Sequence, residues 1–196
     1  MPPVETEYPW YKIIEDNSVC QGDLLFNFEV IEPQWSEQAD QVPAIAKTLD
    51  VVVMTQTCDI IYNKIESILL CSCWDFWVWV AEAKREGKNW SKERRESLRQ
   101  GNIPGYYLCN EADQDSIKMG IKIVDFHEVY TSPIKSVKAF ATKNEKRLRL
   151  LPPYREHMSQ AFARFFMRVG LPVDIPEDKL KKEPSCFRLF KWIKAI

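Results

Sequence analysis

LDVVVMTQTCDII (residues 49–61) decides the reading of this chain. Val51 to Met54 is an apolar run too short for a membrane span and too continuous for a strand with one wet face. It therefore reads as a buried strand. The polar TQTCD that follows it reads as a special turn at the strand's end. Working outward, Lys64 to Cys73 (KIESILLCSC) is the next strand, paired with the first across the Tyr62-Asn63 turn. On the other side lies VCQGDLLFNFEVIEP (19–33), where Gly22-Asp23 is a turn signal and Leu24 to Ile31 is rich in β formers. Residues 34–50, polar and carrying Pro43, are expected to be a long loop or a short helical insertion closed by Asp50. The first 18 residues, with Pro2, Pro3 and Pro9, read as an arm.

From Trp74 the pattern changes. Residues 76–86 look helical and stop at Gly87, and Asn89 or Ser91 opens a second helix, read over 91–101, that ends at Gly101. Strands are expected at Tyr106 to Cys109, over 119–133, where Ile121 and Ile123 alternate with Lys122 and Val124, and over 136–144. PPYREHMSQAFARFFMRVGLP (152–172) is punctuated as a helix, by proline before it and by Gly170 and Pro172 after it. Tyr154, Met158, Ala161, Phe165 and Val169 recur at three or four residues, with Phe162 and Phe166 on their flanks, and make a buried face. His157, Gln160, Arg164 and Arg168 make a polar stripe beside it. A basic linker and a short aromatic tail, helical from about Ser185, follow.

The expected architecture is one α+β domain over 1–196: a bent antiparallel sheet, or an SH3-like barrel, with a helical insertion and a C-terminal helix. Residues 19–73 carry the first strands, 74–101 the helical insertion, 102–144 further strands and 145–196 the C-terminal helical part.

Composition narrows the function classes. The chain has 196 residues, 45% hydrophobic and 28% charged, as an ordinary globular protein does. Its six glycines form neither GxGxxG nor GxxxxGK[ST], and its two histidines make no HExxH. The N-terminal MPPVETEYPW lacks the basic and apolar regions of a secretory signal, so a cytoplasmic location with reduced cysteines is expected, and no membrane association. The net charge of -1 hides a basic C-terminal third, residues 134–196, against an acidic remainder. Such a third attracts phosphate backbones, or pairs with the acidic body of its own protein.

Cys71-Ser72-Cys73 with Cys58 and either His127 or His157 has the ligand types of a zinc site. The two strand cysteines are expected to point to opposite faces, which counts against shared ligation; buried thiols are the preferred reading, with no metal and no cofactor.

TQTCDI (55–60) behind Gly22-Asp23, the middle NIPGYYLCN (102–110) and RLRLLPPYREHMSQAFARFFMRVGLP (147–172) together resemble a family of short prokaryotic proteins. That family carries a Ser/Thr-Gln-x-Cys-Asp signature and a C-terminal Tyr-Arg-Glu-His helix; the resemblance implies no activity. QGDLLFNF (21–28) and DVVVMTQT (50–57) also resemble the first strands of the SH3-like barrels of the PemK/MazF toxin type. The Arg-Pro run before the second strand is missing, so this likeness implies a barrel and not the toxins' RNA cleavage.

Cys58 is the leading candidate residue, since the end of a buried strand is where reactive groups sit. A thiolate there needs a base or a positive field, which His157 or Arg155 can supply. Gln56, Thr57, Asp59, Arg155, Gln160 and Arg164 are the candidate ligand-binding residues, lining a groove suited to an anion. The bland alternative is a packed Cys58 in a hydrogen-bonded turn. Asp125 and His127 share one face of their strand, with Phe126 and Glu128 on the other; such a pair binds metal, orients a base or faces solvent. The Trp74, Trp77 and Trp79 group stacks bases, fills a core or meets a partner.

The resulting expectation is an accessory or binding protein of a prokaryotic operon, of the toxin–antitoxin or phage-defence kind, that binds a protein partner or nucleic acid. The alternative is a cysteine-dependent enzyme with Cys58 as nucleophile and His157 as base.

Overall fold

Residues 8–35, 43–114, 117–144 and 146–167 are described by a computed structural model. Fourteen elements follow in chain order: β1 (Tyr11–Ile14), β2 (Leu24–Pro33), β3 (Ala44–Val53), α1 (Thr57–Ile61), β4 (Ser67–Asp75), α2 (Phe76–Arg85), α3 (Lys92–Arg99), β5 (Tyr106–Cys109), β6 (Ala112–Gln114), β7 (Ile117–Met119), β8 (Lys122–Pro133), α4 (Ile134–Lys143), β9 (Arg147–Leu150) and α5 (Tyr154–Phe166). The main sheet is antiparallel, in the order β2-β3-β4-β8-β5, and two ribbons, β1-β9 and β6-β7, accompany it. The fold is α+β, with a bent antiparallel sheet and a helix near its C-terminal end.

The apolar run that decided the sequence reading sits on an inner strand. Val51, Val52 and Val53 are fully buried because both faces of the sheet are covered, one by helices and the other by the β1–β9 ribbon with α5. Val52, Cys71, Val124 and Phe126 pack with Met158 of α5 in one core. Val51, Val53, Ile68 and Leu70 pack with Ile60 of α1 and with Val137 and Ala141 of α4 in the other. The helical insertion forms as its punctuation predicts. Asp75 caps α2 by accepting from the backbone N–H groups of Trp77 and Val78, and Ser91 caps α3 by accepting from that of Arg94. Gly101 follows α3 with φ +70°, a conformation that costs glycine nothing.

Five expectations are corrected. The sheet is not a closed barrel: β2 and β5 end its strand order, and its faces are covered by α1 and α4 on one side and by the β1–β9 ribbon with α5 on the other. Residues 136–144 belong to α4 and not to a strand, since Val137 and Ala141 are buried at helical spacing. The expected loop over 34–50 gives way to β3 from Ala44 onward. Part of the N-terminal arm is β1, which pairs with β9 in a stretch expected to begin the helical part. Cys71 and Cys73 share one core, as residues two apart on a strand do.

Met1–Phe166 forms one compact unit, and Met167–Ile196 is a second. Arg168, Val169, Cys186 and the expected helical tail lie outside the described residues.

A buried ionic network ties the β1–β2 connection to β9. Asp23 is wholly buried, Arg147 2% exposed and Arg149 8%. Arg149 forks onto Asp23, with its Nη2 3.0 Å from Oδ2, and Arg147 reaches the same carboxylate from Nε at 3.1 Å. Arg147 also donates from Nη1 to the Asp16 carbonyl and from Nη2 to the Ser18 carbonyl, and Arg149 Nη2 donates to the Ser18 carbonyl.

Candidate functional site

A cavity of about 560 Å³ opens between β5 and α5. That volume falls within the range of small-molecule sites. Its walls come from three directions. The loop Gly101–Asn110, which contains β5, supplies Tyr106 and Tyr107; α5 supplies Tyr154, His157, Ala161, Arg164 and Phe165; Trp10, Phe126 and Arg99 complete it. The loop turns into β5 through Gly105 at φ +93°.

The aromatic side chains are locked against one another. Trp10 and Tyr154 stack with centroids 3.7 Å apart and planes within 9°. The Tyr107 hydroxyl donates to the Tyr154 carbonyl at 3.0 Å, and burial pushes this phenol's pKa upward, so it remains a donor. The His157 ring stands edge-on to Tyr107 at 5.7 Å and its backbone N–H is held by the Pro153 carbonyl. Three cationic or potentially cationic groups line the space: Arg99, which is bridged to Glu96, Arg164 and His157. Arg164 has no ion-pair partner among the described residues.

The sequence candidates divide into two groups. His157 and Arg164 line the cavity; Gln56, Thr57, Cys58 and Asp59 do not. The TQTCDI segment forms α1, with Gln56 at its N-cap position. Cys58 is exposed, its thiol 3.7 Å from an Asp59 carboxylate oxygen, and Asp59 also faces Lys64 at 3.6 Å. Gln21 bridges this segment to α5. Its backbone N–H donates to Thr57 Oγ1, and its side-chain amide donates to the Met54 carbonyl at 2.8 Å and to Ser159 Oγ at 3.3 Å. Arg155 packs against Gly22 and pairs with Glu156 at 3.2 Å. Gln160 is exposed on α5.

Sequence reasoning passed over Trp10, Tyr107 and Gly105. Trp10 falls in a proline-containing arm, and the NIPGYYLCN segment that carries the other two reads as a turn and a strand and as part of a family likeness, not as a site. The signal that could have found them is the density of aromatic residues beside glycine and proline, which marks a rigid loop wall.

Among the described residues the other cysteines, Cys20, Cys71, Cys73 and Cys109, are buried. Burial, with Asp125 nearby, pushes the Cys71 thiol up to about 12. A hydrogen bond with Cys109 and then burial push the Cys73 thiol up as well. Among the described residues, no three His, Cys, Asp or Glu side chains converge as metal ligands. No helix among them is long and apolar enough to cross a membrane. The aromatic insertion splits: Trp79 packs edge-on to Trp90 and Tyr106, whereas Trp77 is 67% exposed.

Compared with protein-family models, curated proteins and solved structures, the chain matches none.

Proposed function

We propose that the chain is a binding protein for single-stranded nucleic acid, taking one base into the cavity between β5 and α5. The observation that supports this reading is the make-up of that cavity. Flat, mutually braced aromatic side chains form its walls, and Arg164 and Arg99 bring positive charge to it. Every base has a π-face, so aromatic walls hold bases without regard to sequence. A guanidinium beside them suits the phosphate that accompanies a base. The setting we favour is an accessory protein of a prokaryotic operon of the toxin–antitoxin or phage-defence kind.

The basic C-terminal third contributes less to this than its net charge suggests, because Arg147 and Arg149 are engaged with Asp23. Arg164 is the better probe. A fluorescein-labelled oligothymidylate is titrated with the full chain at low and moderate salt, and binding is read by anisotropy. Binding that weakens as salt rises, and that falls about tenfold or more in Arg164→Ala, is the expected result. Absence of binding at low salt removes the proposal.

A cysteine-dependent activity is the second reading, supported by the exposure of Cys58. It requires that Cys58 react with iodoacetamide faster than an unfolded-state cysteine does. An ordinary rate removes it.

A further inference from the structure

Asp125 and His127 sit beside the cavity, outside its lining, on an irregularity of β8. Cys71 of β4 pairs with Val129, and the next residue, Ser72, pairs with Asp125. Phe126, His127 and Glu128 are therefore extra on β8. Bulges of this kind re-aim side chains. Phe126 turns into the core, and His127 turns out with its side chain 49% exposed.

The imidazole is held from several sides. Asp125, its side chain 12% exposed, accepts from the His127 backbone N–H at 2.9 Å and meets ring Nδ1 at 2.6 Å. Tyr106 and Phe165, both cavity walls, flank the ring at 5.2 and 4.7 Å. Gly105 leaves the ring its place: a Cβ there would stand 2.3 Å from Cε1 and 2.9 Å from Nε2. A carboxylate can only accept, so a neutral His127 carries its proton on Nδ1 and presents the Nε2 lone pair. Nε2 has no hydrogen-bond partner among the described residues. An oriented imidazole with a free lone pair, next to a cavity, is the arrangement of a general base.

We propose that His127 is the proton-transfer group for hydrolysis of a phosphodiester held at the cavity, with Asp125 as its positioning residue; this rests on the nucleic-acid reading above. Nε2 takes a proton from water as the water oxygen bonds to phosphorus. The phosphorus–oxygen bond to the leaving group breaks, and the imidazolium returns the proton to the departing oxygen. Water is the co-reactant. Arg164, the neighbour of Phe165 in α5, supplies positive charge for the phosphate oxygens.

The test uses the full chain with bis(4-nitrophenyl) phosphate for turnover and the labelled oligothymidylate for binding. Turnover by the wild type is expected, lowered about 100-fold or more in both His127→Gln and Asp125→Asn. Binding and melting temperature stay within error of wild type. Nitrogen-15 NMR at neutral pH should find His127 in the Nδ1–H tautomer, and Asp125→Asn should lose it. Absent turnover with intact binding, turnover unchanged in both variants, or an Nε2–H tautomer in the wild type overturns this inference and leaves the binding reading standing. Absent oligothymidylate binding overturns the binding reading, and this inference with it.

Discussion

Gly105 shows how one missing side chain shapes a site. Its φ of +93° already disfavours any L-residue, and a Cβ would collide with the His127 ring. Gly105→Ala should therefore cost about 1–3 kcal/mol. In a chain of this length that lowers Tm by roughly 2–10 °C, read by differential scanning calorimetry. An unchanged Tm would mean that the loop and the ring are not locked together as described. The thiols make a second single-residue case. Cys58 is exposed, whereas Cys20, Cys71, Cys73 and Cys109 are buried. Burial first, then Asp125, hold the Cys71 thiol near 12, so it stays protonated at pH 8. Brief iodoacetamide treatment of the native protein at pH 8, followed by peptide mapping, should label Cys58 and spare those four until denaturant is added. Early labelling of Cys71 would contradict its placement in the core.

Among the elements, β9 was the least legible. RLRL (147–150) looks like a charged lead-in to the following helix, yet all four of its residues are buried. Leu148 and Leu150 enter the core, while Arg147 and Arg149 meet Asp23, a residue that the sequence marked only as half of a turn. The pairing spans more than 120 positions, and no local pattern announces a carboxylate that far away. The same limit hid the cavity, whose walls come from Trp10, β5 and α5. By contrast the Val51–Val53 end of β3, α2, α3, β5 and α5 were legible, because hydrophobic period, caps and glycine stops are local signals. The segment now seen as α4 misled because its short apolar run suits a strand as well as a helix; only burial of Val137 and Ala141 separates the two. The network yields a sharp contrast. Asp23→Asn leaves the buried Arg149 guanidinium without a counter-charge and Arg147 facing only the exposed Asp16 at 3.8 Å, and should cost about 3 kcal/mol or more by urea denaturation. Glu156→Gln breaks the partly exposed pair with Arg155 and should cost less than about 1 kcal/mol. Equal costs would show that the buried network is not what fastens β9 to the start of β2.

At the scale of the described molecule, the sheet is covered on both faces where its inner strands meet and exposed toward the Ala44 end of β3. β3 passes through both regions within a single strand. Ala44 to Thr48 are exposed, whereas Val51 to Val53 are wholly buried between two cores. That gradient explains why the sequence changes character along the strand: AIAKT tolerates alternation with polar residues, and VVV does not. It also places the molecule's stability in the half of the sheet that α4 and α5 cover. Ile45, 48% exposed, and Val52, fully buried, are thus matched probes on one strand. Val52→Asp puts an unpaired charge between Leu24, Cys71 and Met158 and should cost about 3 kcal/mol or more, enough to unfold a protein of ordinary stability. Ile45→Asp adds the same charge to a solvated position and should change stability by about 0.5 kcal/mol or less. Urea melts of both variants decide the matter. A tolerated Val52→Asp would dissolve the two-core architecture, and a costly Ile45→Asp would mean that the open end of the β2–β3 hairpin is covered by something in solution.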